Sequence, residues 1–316
     1  MAKRRRIQGL LELPVSLVVE SEVLGIGLSS RIADHAVRLT FPVAFPVVGG
    51  EGLAAGPGLP DELARLPSKW GALRSKNTET GEATYNVSTV RISFLTSEDY
   101  GQFLSWSAEF DSIADAYPAW WDIARSWLSA WLEMPSQLPD WSHQSLMYVV
   151  GPKGGVAPSG VMGTPFILDA PAISVAQIKG AFARASRQER LPLAQDLLLA
   201  SRNALWAKDY RLAAIEAGSA AEVALATAIR GRLSRRVEPA YIKAAIEDAN
   251  GVIGLYDQYL ALLGPLPESK GAVMNKLAAV RNRAAHAGER PTKDDAIGAL
   301  RVSGSLVNAT HPLDLP

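Results

Sequence analysis

The apolar residues of this chain change their period part-way along it. Up to about residue 170, short apolar and β-branched runs are interrupted by Gly and Pro at intervals too short for helices. Beyond about residue 190, apolar residues recur every three or four positions almost to the end of the chain. The change of period fixes the expected fold class as α+β. A β-rich N-terminal domain over 1–170 is followed by a linker or leading helix over 171–189 and an all-α bundle over 190–310. A chain of 316 residues is long enough for two domains, each with a core of its own.

In the first domain, Val15–Val19, Ala36–Thr40, Val43–Val48 and Val87–Leu95 read as strands, and the last of these presents Val90, Ile92 and Phe94 on one face. Gly49–Pro60 reads as a loop and Asp61–Trp70 as a short helix. From Ser97, an N-cap followed by Glu98 and Asp99, the period becomes helical. Pro118 divides the stretch into two predicted helices, about 98–116 and 119–133. Six of the eight tryptophans lie between Trp106 and Trp141, either as a ligand cage or base-stacking platform or as an aromatic stripe packed on the sheet. The Gly- and Pro-rich stretch 151–171 reads as turns. Its Gly151-Pro152-Lys153-Gly154-Gly155 lacks the spacing and the Ser/Thr of a phosphate loop.

Lys+Arg and Asp+Glu both total 32, so no bulk charge holds nucleic acid or an anionic membrane. By segment the neutrality breaks down. Residues 97–140 carry eight acidic and one basic residue, and residues 171–236 carry eleven basic and five acidic. An acidic segment that covers a basic, RNA-accessible face is therefore one expectation. The absence of cysteine excludes disulfides, thiolate metal sites and thiol nucleophiles. The four histidines, His35, His143, His286 and His311, are too scattered to suggest a metal cage, so neither metal nor cofactor is expected. No run reaches roughly 18 uninterrupted apolar residues. Lys3-Arg4-Arg5-Arg6 and the apolar residues after it imitate a signal peptide, but Glu12, Glu20 and Glu22 interrupt them and no small-residue cleavage site follows. The expectation is a cytoplasmic protein with no membrane partner, its basic run a solvated terminus or an RNA-contacting arm.

The second domain shows five amphipathic faces: Leu193, Leu197, Ala200 and Ala204; Leu212, Ile215, Ser219, Glu222, Ala226 and Ile229; Ile253, Tyr256, Leu260 and Leu263; Val273, Leu277, Val280 and Ala284; and a last helix over about 293–307. The fourth ends Val280-Arg281-Asn282-Arg283-Ala284-Ala285-His286-Ala287-Gly288, with Gly288 as its stop and Pro291 beyond. Arg281-Asn282 followed after three residues by His286, at the end of the penultimate helix, resembles the arginine–histidine motif of the HEPN superfamily, in its Apea-like, toxin-type branch. Asp209 through Glu222 looks like the second helix of the same domain. An Arg five residues before a His is expected by chance about 0.3 times here, and about 0.006 times with Asn after the Arg.

The resemblance covers roughly 190–310 and implies a metal-independent endoribonuclease with Arg281, Asn282, His286 and Glu222 at its site. Arg281 offers a permanently charged fork for a phosphate, and His286 exchanges protons near neutral pH. RNA brings its own nucleophile, the 2′-hydroxyl, so a base and a cation suffice to leave a 2′,3′-cyclic phosphate and a 5′-hydroxyl. On a straight α-helix residues five apart diverge by about 140°, so a long Arg281 side chain or a twofold dimer is needed to unite the motif. Asn282 lies one turn before His286, placed to orient the imidazole or contact RNA. Glu222 interrupts an apolar row, either paired with Arg281 or at the row's solvent edge. The family further implies homodimers through this domain, tRNA or another single-stranded or loop RNA as partner, and a toxin or anti-phage role. The competing expectation is a non-catalytic HEPN module for dimerisation or nucleotide binding.

Overall fold

The computed structural model describes residues 5–47, 50–54, 70–76, 82–96, 108–135, 147–150, 156–159, 171–249 and 251–315. It divides into two compact units: Met1–Leu128 with Asp140–Arg190 and the final Pro316, and Ser129–Pro139 with Leu191–Leu315.

The first unit is built on an antiparallel sheet. Its strands are β1 Arg5–Glu20, β2 Gly27–Ile32, β3 His35–Thr40, β4 Val43–Val47, β5 Gly50–Ala54, β6 Gly71–Lys76, β7 Ala83–Thr96, β8 Met147–Val150 and β9 Val156–Ser159. They run in the order β4-β5-β6-β7-β1-β8-β9, with the β2–β3 hairpin joined to β7 through β3. One edge of β7 pairs along nearly its whole length with β1; the other takes β6 over its first half and β3 over its second. Val90, Ile92 and Phe94 are buried together as expected, but Tyr85, Val87 and Thr89 are buried too. The buried parity therefore switches at Thr89/Val90, opposite an irregularity in β1 between Glu12 and Leu17.

Several elements of this unit depart from the sequence reading. β1 begins at Arg5, well before Val15, so Arg5 and Arg6 of the basic run belong to a strand, while Lys3 and Arg4 lie outside the described residues. Leu10, Leu11, Val18 and Val19 are buried on both faces of β1, which removes the alternation that marks a half-buried strand. Gly50–Ala54, expected in a loop, pairs with β4, because a Gly-rich strand is held by its backbone and shows no side-chain pattern. Val156–Ser159, expected as turn, pairs with β8. The predicted helix start at Ser97, the short helix over 61–70 apart from Trp70, and the turn over 151–155 lie outside the described residues.

Helix α1, Ala108–Trp131, is continuous where Pro118 was expected to divide it. A proline in a helix interior costs about 3 kcal/mol. Trp120 and Trp121, with Ile113 and Tyr117, are buried on either side of it, and Pro118 itself faces solvent. Burying one tryptophan contributes about 4–6 kcal/mol, so the packing outweighs the lost hydrogen bond. Trp120 is completely buried against Phe182, 4.9 Å between ring centroids, which leaves it no open face for a ligand. Phe182 belongs to α2, Val175–Ser186, opened by a Ser174–Gln177 capping box and lying in the first unit.

The second unit is helical: α3 Leu193–Trp206, α4 Tyr210–Leu233, α5 Pro239–Asp248, α6 Gly251–Leu263, and α8 Lys293–Thr310. Between α6 and α8, α7 is one continuous helix in four stretches: Lys270–Ala272, the π-helical Val273–Ala278, Ala279–Asn282, and the π-helical Arg283–Ala287. The bundle thus has six helices rather than five. The unexpected one, α5, has only a short apolar row, Ile242, Ala245 and Ile246, of which Ile242 alone is buried.

Two predicted faces are shifted in part, with Ala204 of the α3 face and Ile229 of the α4 face buried as expected. On α3, Ala194, Leu198 and Ser201 are buried, while Leu193 is 60% exposed. On α4, Ala213, Ala217, Ala220, Ala221 and Ala224 are buried and Leu212 is exposed. The cause is shared: beside Leu198, Leu199, Leu225 and Ile229, much of the contact between these helices is made by small and hydrogen-bonded residues. Ser201 Oγ donates to the Ala213 carbonyl at 2.8 Å, and Ser303 Oγ to the Ala217 carbonyl at 2.6 Å. On α6, Val252, Leu255 and Tyr256 are buried, whereas Leu260 and Leu263 of the expected face are exposed. On α7 the expected face holds, with Val273, Leu277, Val280 and Ala284 all buried. By length and apolarity α4 would also be able to cross a membrane, and half of its most apolar window is buried in the protein.

Candidate functional site

The site forms where α7 crosses α4 and the start of α6. Gly218 sits on α4 beneath Arg281, and a Cβ there would stand 2.5 Å from Arg281 Cγ. Glycine at this position lets the arginine stem lie against the α4 backbone. Its guanidinium then reaches Glu222, one turn further along α4, with Nη2 3.6 Å from Oε2. Both side chains are 26% exposed, so Glu222 occupies the half-buried edge of its helix and is paired there. Nη1 donates to Asn282 Oδ1 at 3.2 Å, whereas the buried Nε has no acceptor among the described residues.

The end of α7 departs from α-helical geometry at the motif itself. Over Arg283–Ala287 the turn widens to a π-helix, and Gly288 stops it with φ at 67°. A π turn spreads more residues around each revolution, so His286 is carried less far from Arg281 than the roughly 140° of an α-helix. Arg211, on the first turn of α4, secures this widened end by donating from Nε to the Ala284 carbonyl at 2.9 Å. Arg283 turns outward to Glu289, 3.3 Å away. His286 is exposed and makes no hydrogen bond or ion pair among the described residues.

Arg281, Asn282, His286 and Glu222 line one cavity of about 460 Å³, with Gly218 and Ile253 also in its wall. All four residues singled out from the sequence are therefore brought together. Sequence reasoning missed Gly218 and Arg211. A lone glycine among the alanines of an interior helix is the visible sign of close backbone approach. The Arg211 contact had no sign, because it depends on a carbonyl freed at the end of α7.

Chemically, the cavity offers a guanidinium already balanced by a carboxylate, an amide beside it and an unencumbered imidazole at the mouth. That set suits an anion bearing a transferable proton. Among the described residues no three of His, Asp and Glu converge as a metal site does. No family model, curated protein or solved structure matches this chain.

Proposed function

We propose that this chain is a HEPN-type endoribonuclease that cleaves RNA without a metal ion at the Arg281–His286 cavity. The observation that carries the reading is that Arg281, Asn282, His286 and Glu222, selected from a linear motif and one helix, share that single cavity. His286 takes the proton of a 2′-hydroxyl, and the 2′-oxygen attacks the adjacent phosphorus. The bond from phosphorus to the 5′-oxygen breaks, and that oxygen takes up a proton from water, while His286 returns its own to solvent, giving a 2′,3′-cyclic phosphate and a 5′-hydroxyl. Arg281 neutralises the charge that gathers on the phosphorane. Glu222 holds the guanidinium until the phosphate arrives. A partly exposed pair at 3.6 Å is worth about 1 kcal/mol or less, so a bidentate phosphate displaces it. The proposal extends to tRNA or another loop RNA as substrate, to a homodimer through this unit, and to a cytoplasmic toxin or anti-phage role.

The test is to incubate the full chain with total RNA in EDTA beside Arg281→Ala and His286→Ala. Wild-type products ending in 2′,3′-cyclic phosphate, with both variants at least 100-fold slower, are the expected result. Equal cleavage by all three proteins overturns the site. The second reading, a non-catalytic dimerisation or nucleotide-binding module, draws on the engagement of Arg281 by both Glu222 and Asn282. A folded wild type that binds nucleotide and cuts no RNA favours it.

A further inference from the structure

A second cavity, of about 750 Å³, opens in the helical unit between α3, α8 and the start of α4. Its walls differ in kind from those of the first. Trp206, the last residue of α3, is 50% exposed there, and Ile297 of α8 is 41% exposed. Arg202, Lys208 and Lys293 line the same space, with Glu133 as their acidic neighbour. An indole face left open beside these cations, and beside Arg301, which is paired with Glu268, is poor packing for its own sake, since large aromatics normally contribute by being covered.

Arg202 provides the independent sign of a missing ligand. Its side chain is only 10% exposed, and its buried Nη1 has no hydrogen-bond acceptor among the described residues. Burial disfavours its charge and lowers its pKa; Glu133, which opposes this among the described residues, lies 3.7 Å away and is itself 66% exposed. Asn308 Nδ2 donates to Glu133 Oε1 at a long 3.5 Å. A buried guanidinium so loosely matched, at the wall of an open cavity, is suited to accept an anion in place of that carboxylate.

We infer that this cavity binds a nucleoside phosphate, free or within an RNA strand, with the base stacked on Trp206 and the phosphate held by Arg202, Lys208 and Lys293. A flat apolar ring joined to an anion is the chemistry these walls share. Stacking on an exposed aromatic is worth about 1–3 kcal/mol per base and tolerates any base. Each phosphate contact adds attraction that weakens with salt. Lys293 stands seven positions after His286, so the two lie no more than about 25 Å apart, a span of a few nucleotides. The inference concerns binding alone and stands whether or not the first cavity cleaves.

The full chain is titrated by calorimetry with AMP and, separately, with a 2′-O-methyl octauridylate, which carries no 2′-hydroxyl to react. Wild type, Trp206→Ala, the double variant Lys208→Glu/Lys293→Glu, and Glu133→Gln are compared, with circular dichroism melts to show that each is folded. Saturable binding of AMP, weakened tenfold or more by Trp206→Ala and by the double variant, assigns the site to a free nucleotide. The same pattern with the octamer alone assigns it to an RNA strand. Glu133→Gln is expected to tighten whichever probe binds by about threefold, since it removes the competing carboxylate. Absence of binding by both probes at millimolar concentration, or affinities unchanged in Trp206→Ala and in the double variant, overturns the inference.

Discussion

The two units bury themselves by different means, although the second also buries large residues such as Leu225, Ile229, Tyr256 and Leu277. In the first, bulky side chains fill the interior: Trp120, Trp121, Tyr117 and Phe182 crowd together, and Trp127 is capped by Arg184 at 4.3 Å. In the second, α4 presents alanines at 213, 217, 220, 221 and 224, and its neighbours come close enough to hydrogen-bond its carbonyls. A core of large residues is vulnerable to truncation, and a core of small ones to enlargement. The contrast also explains where the candidate site lies. Only a small-residue face lets an arginine stem lie flat across a helix, as Arg281 does over Gly218.

The largest expected effect is in the first unit. Trp120→Ala removes a fully buried indole and should cost about 3–5 kcal/mol, read as a fall in urea midpoint at unchanged slope. A loss under about 1 kcal/mol would mean that the aromatic cluster is not what holds the unit together. In the second unit the converse change is the probe. Ala221→Leu inserts three carbons where no surface is exposed, and is expected to cost about 1–3 kcal/mol. If the leucine were neutral or stabilising, α4 would have slack against its neighbours and the contrast between the units would break.

The same contrast decides how much was legible in the sequence. The change of period, the Val90–Phe94 face and the α7 stripe were visible, because large apolar residues on one face leave a period. The α3 and α4 faces were misplaced apart from Ala204 and Ile229, because Ala, Ser and Gln bury well only when packed closely or hydrogen-bonded, and no hydropathy pattern records that. Gln195, 1% exposed on α3, is the plainest case: its amide donates to the His311 carbonyl at 2.8 Å and to Asn308. At the site, Arg281, Asn282 and His286 were legible from spacing and Glu222 from its interruption of a row. The widened turn over Arg283–Ala287 was not, since π-helical hydrogen bonding answers to packing along all of α7 rather than to a local signal.

A smaller effect sharpens the description of the helical unit at its edge, where α8 begins. The Thr292 hydroxyl accepts from the Asp295 amide at 3.1 Å, and the Asp295 carboxylate accepts from the Thr292 amide and hydroxyl at 3.1 and 2.9 Å. The backbone hydrogen bond first, and the hydroxyl second, hold the Asp295 carboxyl below its ordinary 3.8. The folded state therefore binds fewer protons than the unfolded one in this range. The contribution is complete above pH 3.8 and is lost as pH falls through the depressed folded value. Thr292→Ala should cost about 1 kcal/mol at pH 7 and less at pH 3, checked by urea unfolding at both. An equal cost at both pH values would show that the carboxylate contributes nothing to the cap.

The smallest stability change is expected where the small-residue core and the site coincide. Gly218→Ala gains about 1 kcal/mol from helix propensity in the interior of α4. Against this, the new methyl would stand 2.5 Å from Arg281 Cγ. The obstructed Cγ can turn aside only by a change at χ1, and Cβ, at 3.1 Å, has to give by a few tenths of an ångström, together a cost of about 0.5–1.5 kcal/mol. The two effects nearly cancel, so the unfolding midpoint should stay within about 0.5 kcal/mol of wild type. The guanidinium should not stay in place, because its 3.6 Å approach to Glu222 depends on the stem lying against α4. Cleavage of RNA should therefore fall at least tenfold while stability holds, measured on one preparation by both assays. Retention of both would show that Arg281 reaches its working position by a route that does not need Gly218.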